Sequence, residues 1–259
     1  MFMKILTFDT STETMYVTIG NDSNILAHKI IETTQKSYNS AHLIPVIIEL
    51  LQSLNLTMRN IEAIGVNIGP GSFTGIRASA TVAKVMAQQL NIPVVGISSM
   101  EIYSLLNNTA KDTLIWLDAR RGKAYMAVYG EKILEPQAIE YENAVEYAKN
   151  NDLFIISDKK MSEIVKEAGL KTLNLAEIKE NFGLFLAKLT YKHLHDITVI
   201  ARSGLRAEAE VAAKPPRNAV YGEQPSSKAT WQSQSSEFKW HDLKPLYIQP
   251  PPISMPKVK

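Results

Sequence analysis

The feature that most constrains the fold of this chain is a strand–aspartate–turn–strand pattern that occurs twice. "ILTFDTSTETMYVTI" from position 5 and "LIWLDARRGKAYMAVY" from position 114 superpose without a gap, Asp9 on Asp118 and Tyr16 on Tyr125. Each copy is an apolar strand, an aspartate, a polar turn and a second strand carrying a tyrosine. A single repeat of about half the chain predicts two related lobes rather than a solenoid. With 259 residues, 45% of them hydrophobic, there is enough apolar material to fill both.

Strands alternate with helices along both halves. Strands are expected at 4–10, 14–20 and 24–33, then a helix over 39–54 with Asn39 or Ser40 as its cap and Pro45 in its first turn. The apolar run 61–69 reads as a strand covered on both faces. A helix then runs from Thr74 to about 90, followed by a strand at 92–97, and Ser98 with Glu101 reads as a capping box for the next helix. The second half adds helices at 142–149, 161–167 and 175–195 and a strand at 152–157. This order gives an α/β fold of two duplicated lobes, each a mixed sheet flanked by helices. The lobes are expected to span 1–109 and 110–196. Residues 197–241 are rich in Ser, Gln, Pro and Ala without a sustained apolar period and read as a disordered insertion, with 242–259 returning to the fold.

Global properties narrow the function classes. The net charge of +2 calls for neither nucleic acid nor a membrane surface, and the absence of cysteine excludes disulfide and thiol chemistry. An acidic residue already at position 9 and the lack of a membrane-length apolar run lead us to expect a soluble, cytoplasmic protein without a membrane partner.

A carboxylate at each hairpin turn is a sensible place to hold a metal-bound phosphate, so Asp9 and Asp118 are expected to face one another across a cleft, or else each satisfies its own turn. The string "NIGPGSFTGIR" (67–77) adds Gly69, Gly71, Ser72 and Thr74 at a helix start, a generic anion site that lacks the lysine of a Walker loop. Its structural alternative is a strand-to-helix turn capped by Ser72 or Thr74. The five histidines have no chelating spacing; His193 and His195, two apart on a helix, point to different faces. No catalytic constellation and no metal site emerge. The first two helices are apolar on more than one face: Leu43, Ile44, Val46, Ile47, Ile48, Leu50, Leu51 and Leu54 in the first, Ile76, Ala80, Val82, Ala83, Val85, Met86 and Ala87 in the second. Such helices are either core within a larger layer or carry a face for a partner.

The strings "LTFDTST", "HLIPVIIELL", "GVNIGPGSFTGIRASATVAKVMA", "PVVGISSMEIY" and "WLDARRGKAYMAVY" together resemble the TsaB family of tRNA threonylcarbamoyladenosine biosynthesis proteins. The similarity covers about 3–196 and resumes at "LKPLYIQPP". It implies an actin-like, sugar-kinase-type ATPase fold (ribonuclease H-like) and a non-catalytic paralogue of the transferase TsaD. On this resemblance the chain pairs with a TsaD-like transferase and a TsaE-like P-loop ATPase so that threonylcarbamoyl reaches the adenosine beside the anticodon of ANN-decoding tRNAs. tRNA is then met indirectly, through the complex. The chain requires no cofactor itself; ATP or ADP with magnesium belongs to the complex interface or to TsaE. The resemblance also implies that the two helices dock on TsaD through Leu43, Val46, Ile47, Leu50, Leu51, Ile76, Ala80, Ala83 and Met86, or form a homodimer when the partner is absent. The sequence departs from the family at Asn39, where a histidine is usual, and in about forty extra polar residues between Ile197 and His241. The rival reading is a magnesium–ATP-dependent hydrolase or phosphotransferase using Asp9 and Asp118. Direct tRNA contact through Arg120, Arg121 and the tail is opposed by the near-neutral charge.

Overall fold

In the computed structural model, which describes residues 3–21, 24–32, 39–211 and 243–244, the same succession of elements is laid down twice. The first lobe contains β1 (Ile5–Asp9), β2 (Thr14–Gly20), β3 (Ile25–Glu32), α1 (Asn39–Ser53), β4 (Ala63–Gly69), α2 (Phe73–Leu90), β5 (Val94–Ser98) and α3 (Ser99–Ser104). The second contains β6 (Thr113–Asp118), β7 (Lys123–Tyr129), β8 (Leu134–Glu140), α4 (Tyr141–Lys149), β9 (Phe154–Ser157), α5 (Lys159–Glu167), β10 (Leu173–Asn174) and α6 (Phe182–Val211). Strand orders are β3-β2-β1-β4-β5 and β8-β7-β6-β9-β10. In each sheet the first three strands run antiparallel and the last two join in parallel. The duplication read from two hairpins therefore extends to all eight elements of each lobe.

Sequence pattern decides which face each element buries. Leu6 and Phe8 of β1 join Leu43, Val46, Ile47, Leu50 and Leu51 of α1 in one core, while Ile5 points into another beneath α3 and α6. The α1 residues recur at the i, i+3, i+4, i+7, i+8 spacing of a single helical stripe. The final helices bridge the lobes: α6 lies over β1, β2, β4 and β5, and α3 packs on β6 and β7 as well as on its own β4 and β5. The lobes are thereby locked through Tyr103 of α3, whose ring meets Phe182 of α6 edge-on at 5.1 Å.

Several expectations are corrected. Asp9 lies opposite Tyr16, but Asp118 lies opposite Ala124 and Tyr125 opposite Leu117. The second turn is one residue tighter, closed by Arg120, Arg121 and Gly122 at φ 63, 52 and 77°, so Tyr125 falls on the face opposite Asp118. Pro45 lies inside α1, not in its first turn; the carbonyl of Ala41 that loses its partner belongs to an exposed residue, where water replaces the bond. The last helix starts at Phe182, because Leu175–Glu177 is a separate 3-10 turn capped by Asn174. It also runs on to Val211, so residues 197–211 are helical rather than irregular. That stretch is rich in helix formers and its first proline stands only at 215. The rest of the expected insertion, and all of 242–259 except Leu243 and Lys244, lie outside the described residues.

Close approach of α6 to the first sheet rests on Gly65 of β4: a Cβ there would lie 2.0 Å from Thr190 Oγ1. We expect Gly65→Ala to destabilise the chain by about 1–3 kcal/mol in urea denaturation. Thr190→Ala should recover part of the loss in the double variant, since it removes the two nearest atoms.

Candidate functional site

The site grows from the end of β1, where Asp9 is 4% exposed. Its Oδ1 accepts from the Ser11 N–H at 2.7 Å and its Oδ2 from Asn67 Nδ2 at 2.7 Å. Burial pushes the Asp9 carboxyl above its ordinary range, opposed by the bonds from Ser11 and Asn67. Asn67, on β4, also donates to Ser11 Oγ and accepts from the Gly69 N–H and the Ser99 hydroxyl. One side chain thus ties β1, its turn, the glycine loop and the start of α3. Sequence reasoning missed Asn67, although a lone amide inside the apolar run "IGVNIG" was the available signal.

The glycine loop is packed against the β1–β2 turn. A Cβ at Gly75 would lie 1.8 Å from the Thr10 carbonyl oxygen and one at Gly71 2.7 Å from that of Ser11. The Ser72 N–H donates to the Ser11 carbonyl at 2.7 Å, and the Thr10 hydroxyl donates to the Gly75 carbonyl at 2.7 Å. Ser72 caps α2 by accepting from the Gly75 N–H, while Thr74 is exposed and is not the cap. The glycines here admit the protein's own backbone. Gly69, at φ +102°, makes the bend that starts the loop.

Asp118 ends β6 in the second lobe and takes different partners. It accepts from the Arg120 N–H at 2.9 Å, the Tyr141 hydroxyl at 2.7 Å and Lys160 Nζ at 3.1 Å. Its own N–H donates to Asp158, the cap of α5. Partial burial raises the Asp118 pKa, but the bonds from Tyr141, Arg120 and Lys160 outweigh it and leave the carboxyl below its ordinary range. The two aspartates share no bonded partner; each closes its own turn. Between the lobes stands Tyr103, its hydroxyl pKa raised by burial and by the charges of Asp9, Tyr16 and Asp158.

Other candidates separate as well. Ser98 caps α3 through the Met100 N–H, and Glu101 bonds His193 at 2.7 Å instead of completing a capping box, because α6 brings that imidazole alongside. His195, two residues on, is exposed. Among the described residues no three His, Asp or Glu side chains converge as a metal site, and no helix is long and apolar enough to cross a membrane. Of the nine side chains expected to meet a partner, Leu43, Val46, Ile47, Leu50, Leu51, Ile76, Ala80 and Ala83 are buried in the chain's own core and Met86 is half-buried against it. The outward apolar residues of these helices are Ile44, Ile48, Phe73 and Val85. The apolar content is split between the lobe's core and its surface, and composition cannot say which residue goes where.

The family profile described as TsaD, tRNA N6-adenosine threonylcarbamoyltransferase, matches residues 25–227. The tRNA threonylcarbamoyladenosine biosynthesis protein TsaB of Bacillus subtilis is 31% identical over 181 residues, covering 66% of this chain and 78% of that one. The chain belongs to the TsaB family. The TsaB protein of Escherichia coli is also 31% identical, over 49% of this chain and 55% of its own length. A solved structure of YeaZ from Pseudomonas aeruginosa superposes with a TM-score of 0.58 at 21% identity, over 74% of this chain and 93% of that one. Together with the two lobes, this likeness establishes an α/β fold of two mixed sheets flanked by helices.

The opposed pKa shifts of the aspartates give opposite pH signatures. A lowered Asp118 contributes stability above its unfolded value near 3.8 that disappears as pH falls through the folded pKa. We expect Asp118→Asn to be less stable than wild type at neutral pH, and the gap to close on acidification below that value. Asp9, with a raised pKa, works in the other direction and weakens the fold as pH rises through its folded value. Urea midpoints of the two chains across an acid pH series provide the measurement.

Proposed function

We propose that the chain serves tRNA threonylcarbamoyladenosine biosynthesis as a non-catalytic subunit that pairs with a TsaD-like transferase, in an assembly joined by a TsaE-like ATPase. Membership of the TsaB family supports the pathway. The observation that carries the non-catalytic reading is the filled glycine loop. The Ser72 N–H that would meet a phosphate donates to Ser11, and the glycines that would let a phosphate approach are pressed against Thr10 and Ser11. Asp9 is engaged by Ser11 and Asn67, and Asp118 by Arg120, Tyr141 and Lys160. These residues, already bonded to one another, do not fit a magnesium–nucleotide. Any ATP or ADP of the reaction then resides on the partners or at their junction.

In this reading the contribution of the chain is surface burial that favours one TsaD conformation. The surface is the outward side of α1 and α2, where Ile44 and Ile48 stand one helical turn apart, 40% and 47% exposed, and Val85 is 53% exposed beside half-buried Val82 and Met86. The same face supports a homodimer when the partner is missing. tRNA is reached through the complex.

The test is threonylcarbamoyl transfer to tRNA with TsaC-, TsaD- and TsaE-type partners, with and without this chain. We expect transfer to require the chain and to survive Asp9→Ala with Asp118→Ala, provided the variant still folds and pairs. Ile44→Glu with Ile48→Glu should weaken pairing at least about tenfold while leaving the melt unchanged. Loss of transfer in the aspartate variant while pairing persists would show a working phosphate site and end this reading.

A further inference from the structure

The second lobe carries a depression that the function above does not use. It opens at the end of the sheet remote from Asp118, where β6 and β9 begin, and its volume is about 420 Å³. Three segments build it. α4 ends at Lys149, and the Asn151 side chain holds the turn that follows by donating to the Tyr147 carbonyl. The Phe154 N–H donates to the Asp112 carbonyl at 2.9 Å, and Lys111 pairs with Asp152 alongside. α5 ends at Glu167, and Gly169, at φ +78°, turns the chain so that Leu170 and Lys171 complete the wall.

The lining is divided by chemistry. Ala148 and Ile155 are buried and Leu153 and Leu170 half-buried, which gives an apolar floor. Lys111, Lys149 and Lys171 line it together with Asn150 and Asn151. Lys111 is bound to Asp152, the one carboxylate of the lining. Lys149 and Lys171 form no ion pair among the described residues. Asp112 is turned to the connection between β7 and β8, where it accepts from the Glu131 and Lys132 N–H groups. Two ammonium charges are therefore unmatched. Lys149 sits in the last turn of α4, where a cation also offsets the helix dipole; Lys171 lies beyond the end of α5 and has no such role.

We propose that this depression binds a small phosphomonoester with a compact apolar body. Its size falls within the roughly 300–1,000 Å³ of small-ligand sites, and an apolar floor with a few charged groups is their usual composition. A phosphomonoester carries about −1.5 to −2 at pH 7 and balances both unmatched lysines, whereas a carboxylate balances one. The body covers Leu153 and Leu170 and the floor between them. Exposed ammonium groups keep much of their water, so the affinity is modest and falls with salt. The site is in the second lobe and the pairing surface of α1 and α2 in the first, so loss of one leaves the other measurable.

Phenyl phosphate is the probe, titrated into the full-length chain and followed by calorimetry and by backbone amide shifts. Inorganic phosphate lacks the body, and phenylacetate lacks the second charge. We expect saturable binding of phenyl phosphate at about millimolar concentration or below, with shifts at Lys149, Asn150, Asn151, Leu170 and Lys171. Both control ligands should bind at least about threefold more weakly. Lys149→Gln with Lys171→Gln should raise the dissociation constant at least about tenfold with an unchanged melt, since both side chains are exposed. Arg120→Gln with Arg121→Gln, at the other end of the sheet, should leave it as in wild type. The proposal is overturned by a wild-type chain that shows no saturation up to about 10 mM, or by a lysine variant that binds as wild type does. Inorganic phosphate binding as tightly as phenyl phosphate also overturns it, because the depression would then be a bare charge patch.

Discussion

Four hydrogen bonds on the side chain of Asn67 hold the first lobe in register. The amide nitrogen serves Asp9 and Ser11; the oxygen takes the Gly69 N–H and the Ser99 hydroxyl. A buried amide is costly unless every position is used, and here each one is, by a different segment. The consequences reach outward. With the Asp9 turn pinned, Ser11 and Thr10 are held against Gly71 and Gly75, and α2 starts where it does. With Ser99 pinned, α3 leaves the sheet in the direction that carries Tyr103 between the lobes. Removing that amide would free a buried carboxylate and loosen three chain entries at once.

The two lobes show how one topology tolerates different turn chemistry. Sheet order and strand direction are the same in both. Burial of Asp9 outweighs the bonds from Ser11 and Asn67, whereas Asp118 is only partly buried and the bonds from Tyr141, Arg120 and Lys160 prevail, which is why their carboxyl pKa values move in opposite directions. The turn after Asp118 is a left-handed run of Arg120, Arg121 and Gly122, the turn after Asp9 a longer hydroxyl-rich one. Duplication preserved the scaffold that places both turns at strand ends. The same scaffold thus carries two different turn environments, since function resides in sites rather than in folds.

The surfaces follow from the same packing. Each of α1 and α2 uses one stripe to cover the first sheet, and what is left outside is a short apolar row, Ile44 and Ile48 on α1 and Val85 on α2. Because α6 covers four strands of that sheet, β3 stands at its margin among the described residues, with Leu26 and Ile30 partly exposed. The helix that shields this face of the first sheet, α6, belongs to the second half of the chain and ends its coverage at β2.

Much of this was legible in the residues. Apolar periodicity located nearly every strand and helix, because the period of the side chains is set by the backbone geometry itself. The repeated aspartate hairpin announced two lobes, and the glycine string with its serine cap announced the strand-to-helix turn. Sequence could not place Tyr125, since a one-residue difference in turn length reverses a face without altering the pattern. Nor could it separate core from surface on α1 and α2, where Leu43 and Ile44 are chemically alike but one is fully buried and the other 40% exposed. The partnership of Glu101 with His193, 92 positions apart, exists only because α6 crosses to the first lobe. Local chemistry therefore determined the elements and their order. The tertiary structure decided which carbonyl fills the glycine loop and which apolar side chain is core, because those depend on contacts between segments far apart in the chain.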